Sequence, residues 1–476
     1  MLSKSRFLAG LQCSKLLWLR VHEPDAPELV PDAGAQAVLD RGTRIGELAR
    51  DRFPGGVLIA YDERRLEATR EAIEEGASVL FEASFSADDT FVAIDVLVRE
   101  PPGWRLIEVK STISVKDEHI SDAGVQLHVL ERSGLNVVAV EIMHLNRDCR
   151  HPNLTNLFAR TDVTSRVRAL LPAIPARIST HLAVLRGPLP VVATGPHCAT
   201  PHACPFQPRC FAPLPEHHVS SLYRGGRRVA ELLAGGVERI EDIAEPLEGI
   251  RERQRLAVQT GELVVEGDPA AAVAAFGSPL AFLDFESVSP AVPCWPGCAP
   301  YQSVPVQFSV HLEHPDRIDH HEWLAEGPDD PRRALALALL EACAGASTIV
   351  AYGATFERGI IEDLAVACPD LGPALLDLAG RLVDLLPIVR DHLYHPHFDG
   401  SFGLKAVAPA LTGQGYDDLE VADGHMASAT LERLLFDPIA EPDARARLRR
   451  ALLDYCARDT WVLVLLLRRL RAGLPE

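Results

Sequence analysis

Residues 187–218 read GPLPVVATGPHCATPHACPFQPRCFAPLPEHH. Proline this frequent removes backbone donors and fixes φ, so the stretch forms neither a long helix nor a central strand. It divides the chain, and an alternation of helices and strands stands on each side of it. Before it come amphipathic helical segments within 33–80, including GTRIGELARDRF, which PGG stops. The strand-like runs FVAIDVLVR and WRLIEVKST follow, joined by EPPG, then a helix near 119–133 and the strand NVVAVEIMHL. After it, 226–260 reads as helical. From 280 a second pattern begins: LAFLDFESV, VPVQFSVHLE, a helix at 331–344, STIVAYG, then mostly helices. Two α/β domains are expected, over 1–225 and 276–476, with a helical linker at 226–275.

The length of 476 residues allows two or three cores. Ten cysteines are too few for a disulfide scaffold. No apolar run is long enough to span a bilayer. Gln12, Ser14 and Lys15 interrupt the N-terminal apolar stretch, so it does not read as a signal peptide, and a cytoplasmic location without a membrane partner is expected. The net charge of −19 argues against a protein that simply coats nucleic acid. The charge is uneven: residues 151–225 hold seven arginines against Asp162 and Glu216. A local basic face, and a channel for a strand, are expected there.

The chain has only five lysines, among 47 basic residues. One of them, Lys110, stands two residues after Glu108 in LIEVKST. Alternate side chains of a strand share a face, so Glu108 and Lys110 point the same way while Val109 points to a core. The preceding strand carries Asp95 among apolar residues, where an unpaired buried carboxylate is costly. A hard cation shared by Asp95 and Glu108, Mg²⁺ or Mn²⁺, removes that cost. Lys110 would orient water and stabilise developing negative charge, which the wide fork of an arginine does less well. A surface hairpin with a salt bridge has the same spacing.

In LAFLDFESV, Asp284 and Glu286 share one face and repel unless a cation lies between them. That pair is the expected first element of a two-metal site for phosphodiester cleavage. Far downstream, Tyr455 and Asp459 fall on one face of the helix LLDYCARDTWVLVLLL. Lys405 follows a glycine-containing turn and could touch a phosphate. The bland reading of the helix is an amphipathic terminal element.

Cys198, Cys204 and Cys210 lie in CATPHACPFQPRC, and Cys13 lies near the N-terminus. Four thiolates suit an iron–sulfur cluster or zinc, and His197 and His202 are at hand. CWPGC at 294–298 and the other cysteines read as core or loop residues.

The pattern from Asp95 through Glu108-x-Lys110 resembles the PD-(D/E)XK nuclease superfamily. That resemblance implies Glu47 as a further acid on the preceding helix and Gln126 as the glutamine of the RecB-type motif, although Leu130 stands where that motif has tyrosine. One early and three late cysteines around such a core resemble the RecB-like iron–sulfur nucleases, which favours a 4Fe–4S cluster with a structural role over zinc. The order Asp284-x-Glu286 through Tyr455-x-x-x-Asp459 resembles the DEDD exonucleases, of RNase H-like fold and the tyrosine subtype. It implies metal at Asp284, Glu286 and Asp459 and water orientation by Tyr455. It also implies a middle acid at Glu357, where the family has aspartate, with Asp384 as a substitute. Nearly the whole chain resembles a bacterial family that joins the two domains and whose C-terminal domain is uncharacterised. The expected activity is hydrolysis of single-stranded or ended DNA, in repair or defence, with a 3′–5′ exonuclease in the second domain. RNA 3′-end trimming, or non-catalytic binding of nucleic-acid ends, are the alternatives.

Overall fold

The computed structural model describes residues 1–211, 213–437 and 441–473. The chain is mixed α/β and divides into two compact units. The first comprises Met1–Ala212 and Ala291–Tyr301, the second Pro213–Pro290 and Gln302–Glu476. The expected linker at 226–275 therefore belongs to the second unit. The segment at 291–301 belongs to the first, where Ala291 packs with Ile45, Leu145, Cys149 and Leu157.

The first unit runs β1 (Leu2–Ser3), α1 (Lys4–Gln12), α2 (Ser14–His22), α3 (Ala33–Arg50), β2 (Val57–Leu58), α4 (Arg65–Glu74), β3 (Val79–Ala87), β4 (Thr90–Glu100) and β5 (Gly103–Lys110). It continues with α5 (Asp117–Arg132), β6 (Val137–Leu145), β7 (Phe158–Asp162), α6 (Thr164–Leu170), α7 (Ile174–Arg186) and the short α8 (Gln207–Cys210). The sheet order is β2-β3-β4-β5-β6-β7, and β1 pairs with β4. The β3-β4-β5 meander is antiparallel, and β5 and β6 are parallel with α5 as the crossover. Leu106 packs on the α5 side with Leu127 and Leu130, and Ile107 packs on the opposite face with Ala49 and Phe81. Both faces of the sheet are therefore covered, unlike the half-exposed hairpin that the pattern of charges suggests.

The side-chain alternation of the meander slips beside Asp95. Ile94 packs on the α5 side, and Val96 packs on the other. Opposite it, Glu82 adopts φ 56°, the left-handed region that L residues rarely occupy. Irregularities of this kind re-aim side chains beside functional sites.

The second unit contains α9 (Gly226–Ala234), α10 (Ile250–Thr260), β8 (Val264–Val265), α11 (Pro269–Ala274), β9 (Leu280–Val288), β10 (Val304–Glu313), β11 (Ile318–Leu324), α12 (Arg332–Ala342), β12 (Thr348–Ala351) and α13 (Thr355–Ala367). It ends with α14 (Gly372–Gly380), β13 (Leu382–Asp384), α15 (Leu385–His392), β14 (Leu393–Tyr394), α16 (Leu404–Thr412), α17 (Gly424–Phe436) and α18 (Pro442–Arg471). Its main sheet has the order β11-β10-β9-β12-β13, antiparallel on the β10 side of β9 and parallel on the β12 side. The period of two in β9 sorts its side chains. Ala281, Leu283 and Phe285 enter the core with α12, α13 and α14. Leu280 and Phe282 enter the core that holds Leu463, Leu466 and Leu467 of α18. Asp284 and Glu286 continue the second row, so the strand's own periodicity aims both carboxylates at the α18 side. No helix among the described residues is long and apolar enough to cross a membrane.

Candidate functional site

The best-gathered site lies in the second unit. Asp284 and Glu286 from β9 and Asp459 from α18 each offer an oxygen, and the three oxygens lie within 4.8 Å of one another. Tyr455 and Lys405 line the same cleft, of about 690 Å³. The helical spacing of four residues puts Tyr455 one turn before Asp459 on the buried face of α18. Burial, with the charges of Asp459, Glu286 and Glu357, raises the Asp284 carboxyl well above the usual range. Burial and Asp459 push Glu286 up to about 8. Burial raises Asp459 as well, against the opposing pull of the Tyr416 hydroxyl and Lys405. The three carboxylates could hold a metal ion, and an all-oxygen donor set suits Mg²⁺ or Mn²⁺.

Sequence reasoning missed two partners of this triad. The Tyr416 hydroxyl donates to Asp459 Oδ1 at 2.6 Å. The Cys456 thiol lies 3.5 Å from Asp284 Oδ2. Tyr416 stands in GQGYDD, which carries no motif signal, and only the fold brings it to α18. Cys456, adjacent to Tyr455, reads as a core residue from spacing alone.

Glu357 does not join the triad. It sits in the first turn of α13, buried, and its Oε2 has no hydrogen-bond donor. Burial and Asp384 push its carboxyl up to about 7. Asp384 is engaged elsewhere: it accepts from the backbone N–H groups of Gly353 (2.8 Å), Ala354 (3.1 Å) and Leu386 (2.9 Å), and so caps α15.

Lys405 is in the site. Its ammonium donates to Ala422 O at 2.8 Å and lies 4.6 Å from the centre of the Tyr455 ring. No carboxylate among the described residues lies within ion-pair distance of it. Tyr223, Arg224, Tyr352, Arg390 and Phe402 also line the cleft. Arg224 adopts φ 45° and has no carboxylate partner among the described residues.

The first unit assembles a different kind of site. Lys110 donates to Glu108 Oε1 at 2.7 Å and to Asp122 Oδ2 at 2.6 Å. Gln126 Nε2 donates to Glu108 Oε2 at 2.7 Å and to Asp122 Oδ1 at 3.0 Å. The Gln126 amide oxygen is buried and has no donor. Asp95 accepts from the backbone N–H of Val109 at 2.7 Å. Burial and Glu108 raise its carboxyl, whereas Glu108, despite its own burial, is held well below the usual range by Lys110 and Lys4. Lys4 and Asp122 were missed in the sequence. Lys4 donates to Glu108 Oε1 at 2.9 Å. Asp122 stands one helical turn before Gln126, where that spacing could have flagged it.

Glu47 is not part of this network. Its carboxylate is about half exposed and pairs with Arg44 at 3.7 Å. Leu130 is wholly buried among the apolar residues under α5.

Cys13, Cys198, Cys204 and Cys210 line one cavity, with His197, Leu16, Leu19 and Phe206 around them. His197 Nε2 lies 3.7 Å from Cys198 Sγ. Among the described residues, no three of these sulfurs lie within 4.8 Å of one another. No disulfide joins Cys13, Cys198, Cys204 and Cys210.

The basic run at 151–225 is largely spent on local pairs. Arg160 pairs with Glu141, Arg166 with Asp117, Arg168 with Glu131, Arg186 with Asp89, and Arg209 with Glu23 and Glu28. Among the described residues, Arg177 and Arg224 lack a carboxylate partner, so the run does not form a continuous free basic face.

No curated protein matches the chain. One family model matches part of it: residues 281–403 are similar to a domain of unknown function, DUF2779. That stretch holds Asp284, Glu286 and Glu357 and ends before Lys405, Tyr455 and Asp459.

Proposed function

We propose that the protein is a metal-dependent nuclease that hydrolyses phosphodiester bonds of single-stranded or ended DNA. On this reading the second unit is an RNase H-like DEDD exonuclease working from 3′ ends. The first is a PD-(D/E)XK nuclease of the RecB type, pinned by an iron–sulfur cluster. The observation that carries the proposal is the meeting of Asp284, Glu286 and Asp459 within 4.8 Å in a cleft that also presents Tyr455 and Lys405. A non-catalytic end-binding protein gains nothing from three buried acids that raise one another's pKa.

Asp284, Glu286 and Asp459 would hold Mg²⁺ or Mn²⁺, which activates water and stabilises the oxygens of an in-line displacement. Tyr455 has its hydroxyl pKa raised by burial and by Asp459, so at neutral pH it stays a neutral donor and acceptor able to orient a water. Lys405 is a compact charge free to meet a phosphate oxygen. Tyr223 and Tyr352 would supply rings for base stacking, which is sequence-tolerant, and Arg224 would offer charge to the backbone. In the first unit Asp95 and Glu108 would hold the same type of ion, with Lys110 and Gln126, both bonded to Glu108, beside it. The four cysteines would hold a 4Fe–4S cluster, with zinc as the alternative.

The test is incubation of anaerobically purified protein with Mn²⁺ and a 5′-labelled single strand. Stepwise shortening from the 3′ end, abolished by chelator and by Asp459→Asn, is expected. An intact strand that the protein nonetheless binds would favour end binding without catalysis.

A further inference from the structure

Helix α1 joins two sites that the sequence keeps far apart. Its first residue, Lys4, lies in the carboxylate network of the first unit, and its C-cap, Cys13, lines the cysteine cavity. β1 fixes where the helix begins: Leu2 pairs with Thr90 and Ser3 with Phe91, and the Ser3 hydroxyl then accepts from the Arg6 N–H as the N-cap. Gln12 fixes the other end, donating to His197 O at 2.9 Å and to His202 O at 2.7 Å. The nine residues between form a rod of roughly 13 Å.

Every oxygen of Glu108 is taken. Oε1 accepts from both Lys4 and Lys110, and Oε2 accepts from Gln126. Lys4 also lies 3.8 Å from Asp122. Three acids, Asp95, Glu108 and Asp122, therefore face two ammonium groups. A divalent ion ligated by Glu108 cannot approach Oε1 while both ammoniums remain, because like charges that close repel strongly in a buried setting. Lys110 is held by the pairing of β5 with β6, where it stands opposite His144. Lys4 and Lys110 keep similar shares of their side chains exposed, 26% and 23%, but Lys4 hangs from a helix end, so it is the group with a way out.

We propose that Lys4 is a resident cation of the first site, occupying Glu108 in competition with the divalent ion, and that the cysteine cavity holds it there through α1. This positioning role rests on the reading of Asp95 and Glu108 as metal ligands. The state of the cysteine cavity then sets how readily the first site takes up its ion. With the cavity loop gripping Gln12 and Cys13, Lys4 stays engaged and the ion must displace it. When that grip loosens, Lys4 withdraws and the ion enters more easily.

Mn²⁺ binding to the full-length protein, followed by electron paramagnetic resonance, tests this. All variants carry Asp284→Asn and Asp459→Asn to silence the second site. Lys4→Met is expected to tighten Mn²⁺ binding by about tenfold or more. Gln12→Ala, which leaves the thiolates in place, is expected to shift binding in the same direction as Lys4→Met and to add nothing to it in the double variant. Unchanged or weaker binding in Lys4→Met overturns the resident-cation role. No shift in Gln12→Ala, or full additivity of the two, overturns the link to the cavity. If the parental protein binds no Mn²⁺ that Asp95→Asn removes, the metal reading of the first site fails, and the inference with it.

Discussion

Lysine is scarce in this chain, and three of its five lysines, Lys4, Lys110 and Lys405, stand in the two candidate sites. Where arginine serves every general need for positive charge, a compact ammonium marks a place where a planar fork does not fit. That logic picks out Lys110 from the sequence and applies equally to Lys405 and to Lys4, whose partner Glu108 is 104 positions away and invisible to local spacing. At the second site the analogous hidden partner is Tyr416. Its hydroxyl orients Asp459, so Tyr416→Phe is expected to weaken Mn²⁺ binding there by roughly 10–100-fold with little change in fold. Calorimetric titration checks it, and unchanged affinity would mean that Asp459 is positioned without Tyr416. The triad acids were legible because Asp284-x-Glu286 and Tyr455-x-x-x-Asp459 obey strand and helix periods. Glu47 fell outside because a match by position on a helix says nothing about which way that helix turns its side chains. It pairs with Arg44 in solvent instead.

Among the elements, long periodic segments were legible and short or polar ones were not. β4, β5, β6, β9 and β10 follow the apolar runs, and α5 and α12 begin and end close to the expected limits. β13 has three residues, too few for a period to be counted. β3 contains Glu82 and Ser84, which blur the alternation of a strand that is nonetheless mostly buried. The segment at 226–275 reads from the sequence as a helical linker between the two domains. In the structure α10 buries Arg253, Gln254 and Arg255, whose hydrogen bonds to Arg390 O, Ser221 O and Glu252 tie it into the second unit. The segment just before α9 brings Tyr223 and Arg224 to the cleft. Arg224→Ala is expected to raise KM for a single-stranded substrate several-fold while kcat changes little, because the residue lines the cleft but bonds to none of the three acids. Steady-state kinetics at low salt distinguish this from a loss in kcat, which would place Arg224 at the reacting phosphate.

At the scale of the whole molecule, the division into two α/β units was legible from the proline-rich stretch, but the exchange of segments was not. Nothing local in AVPCWPGCAPY announces that it packs in the first unit, since its contacts in the Ile45 and Cys149 core are all distant in sequence. The acids of the second site also give the molecule a pH dependence. Glu286 is raised to about 8 and Asp459 to about 6 in the folded state, against roughly 4 for unfolded carboxyls. Groups raised in this way favour the folded state at low pH, and that contribution is lost as pH rises through the folded values. The Tm of metal-free protein is therefore expected to fall between about pH 5 and pH 8.5. Mg²⁺ should restore more of it at the upper end, and Asp284→Asn should flatten the slope. A Tm that rises over that range without metal would contradict the repulsive triad.

The most direct measurement is cleavage of single strands labelled at the 5′ or the 3′ end, with Mn²⁺, by the wild-type chain and by Lys110→Ala and Asp284→Ala. Each substitution is expected to remove a different part of the product pattern, with the stepwise 3′ shortening lost in Asp284→Ala. Products that neither substitution alters, or a wild-type chain that binds both strands and cuts neither, would contradict the account of two hydrolytic sites.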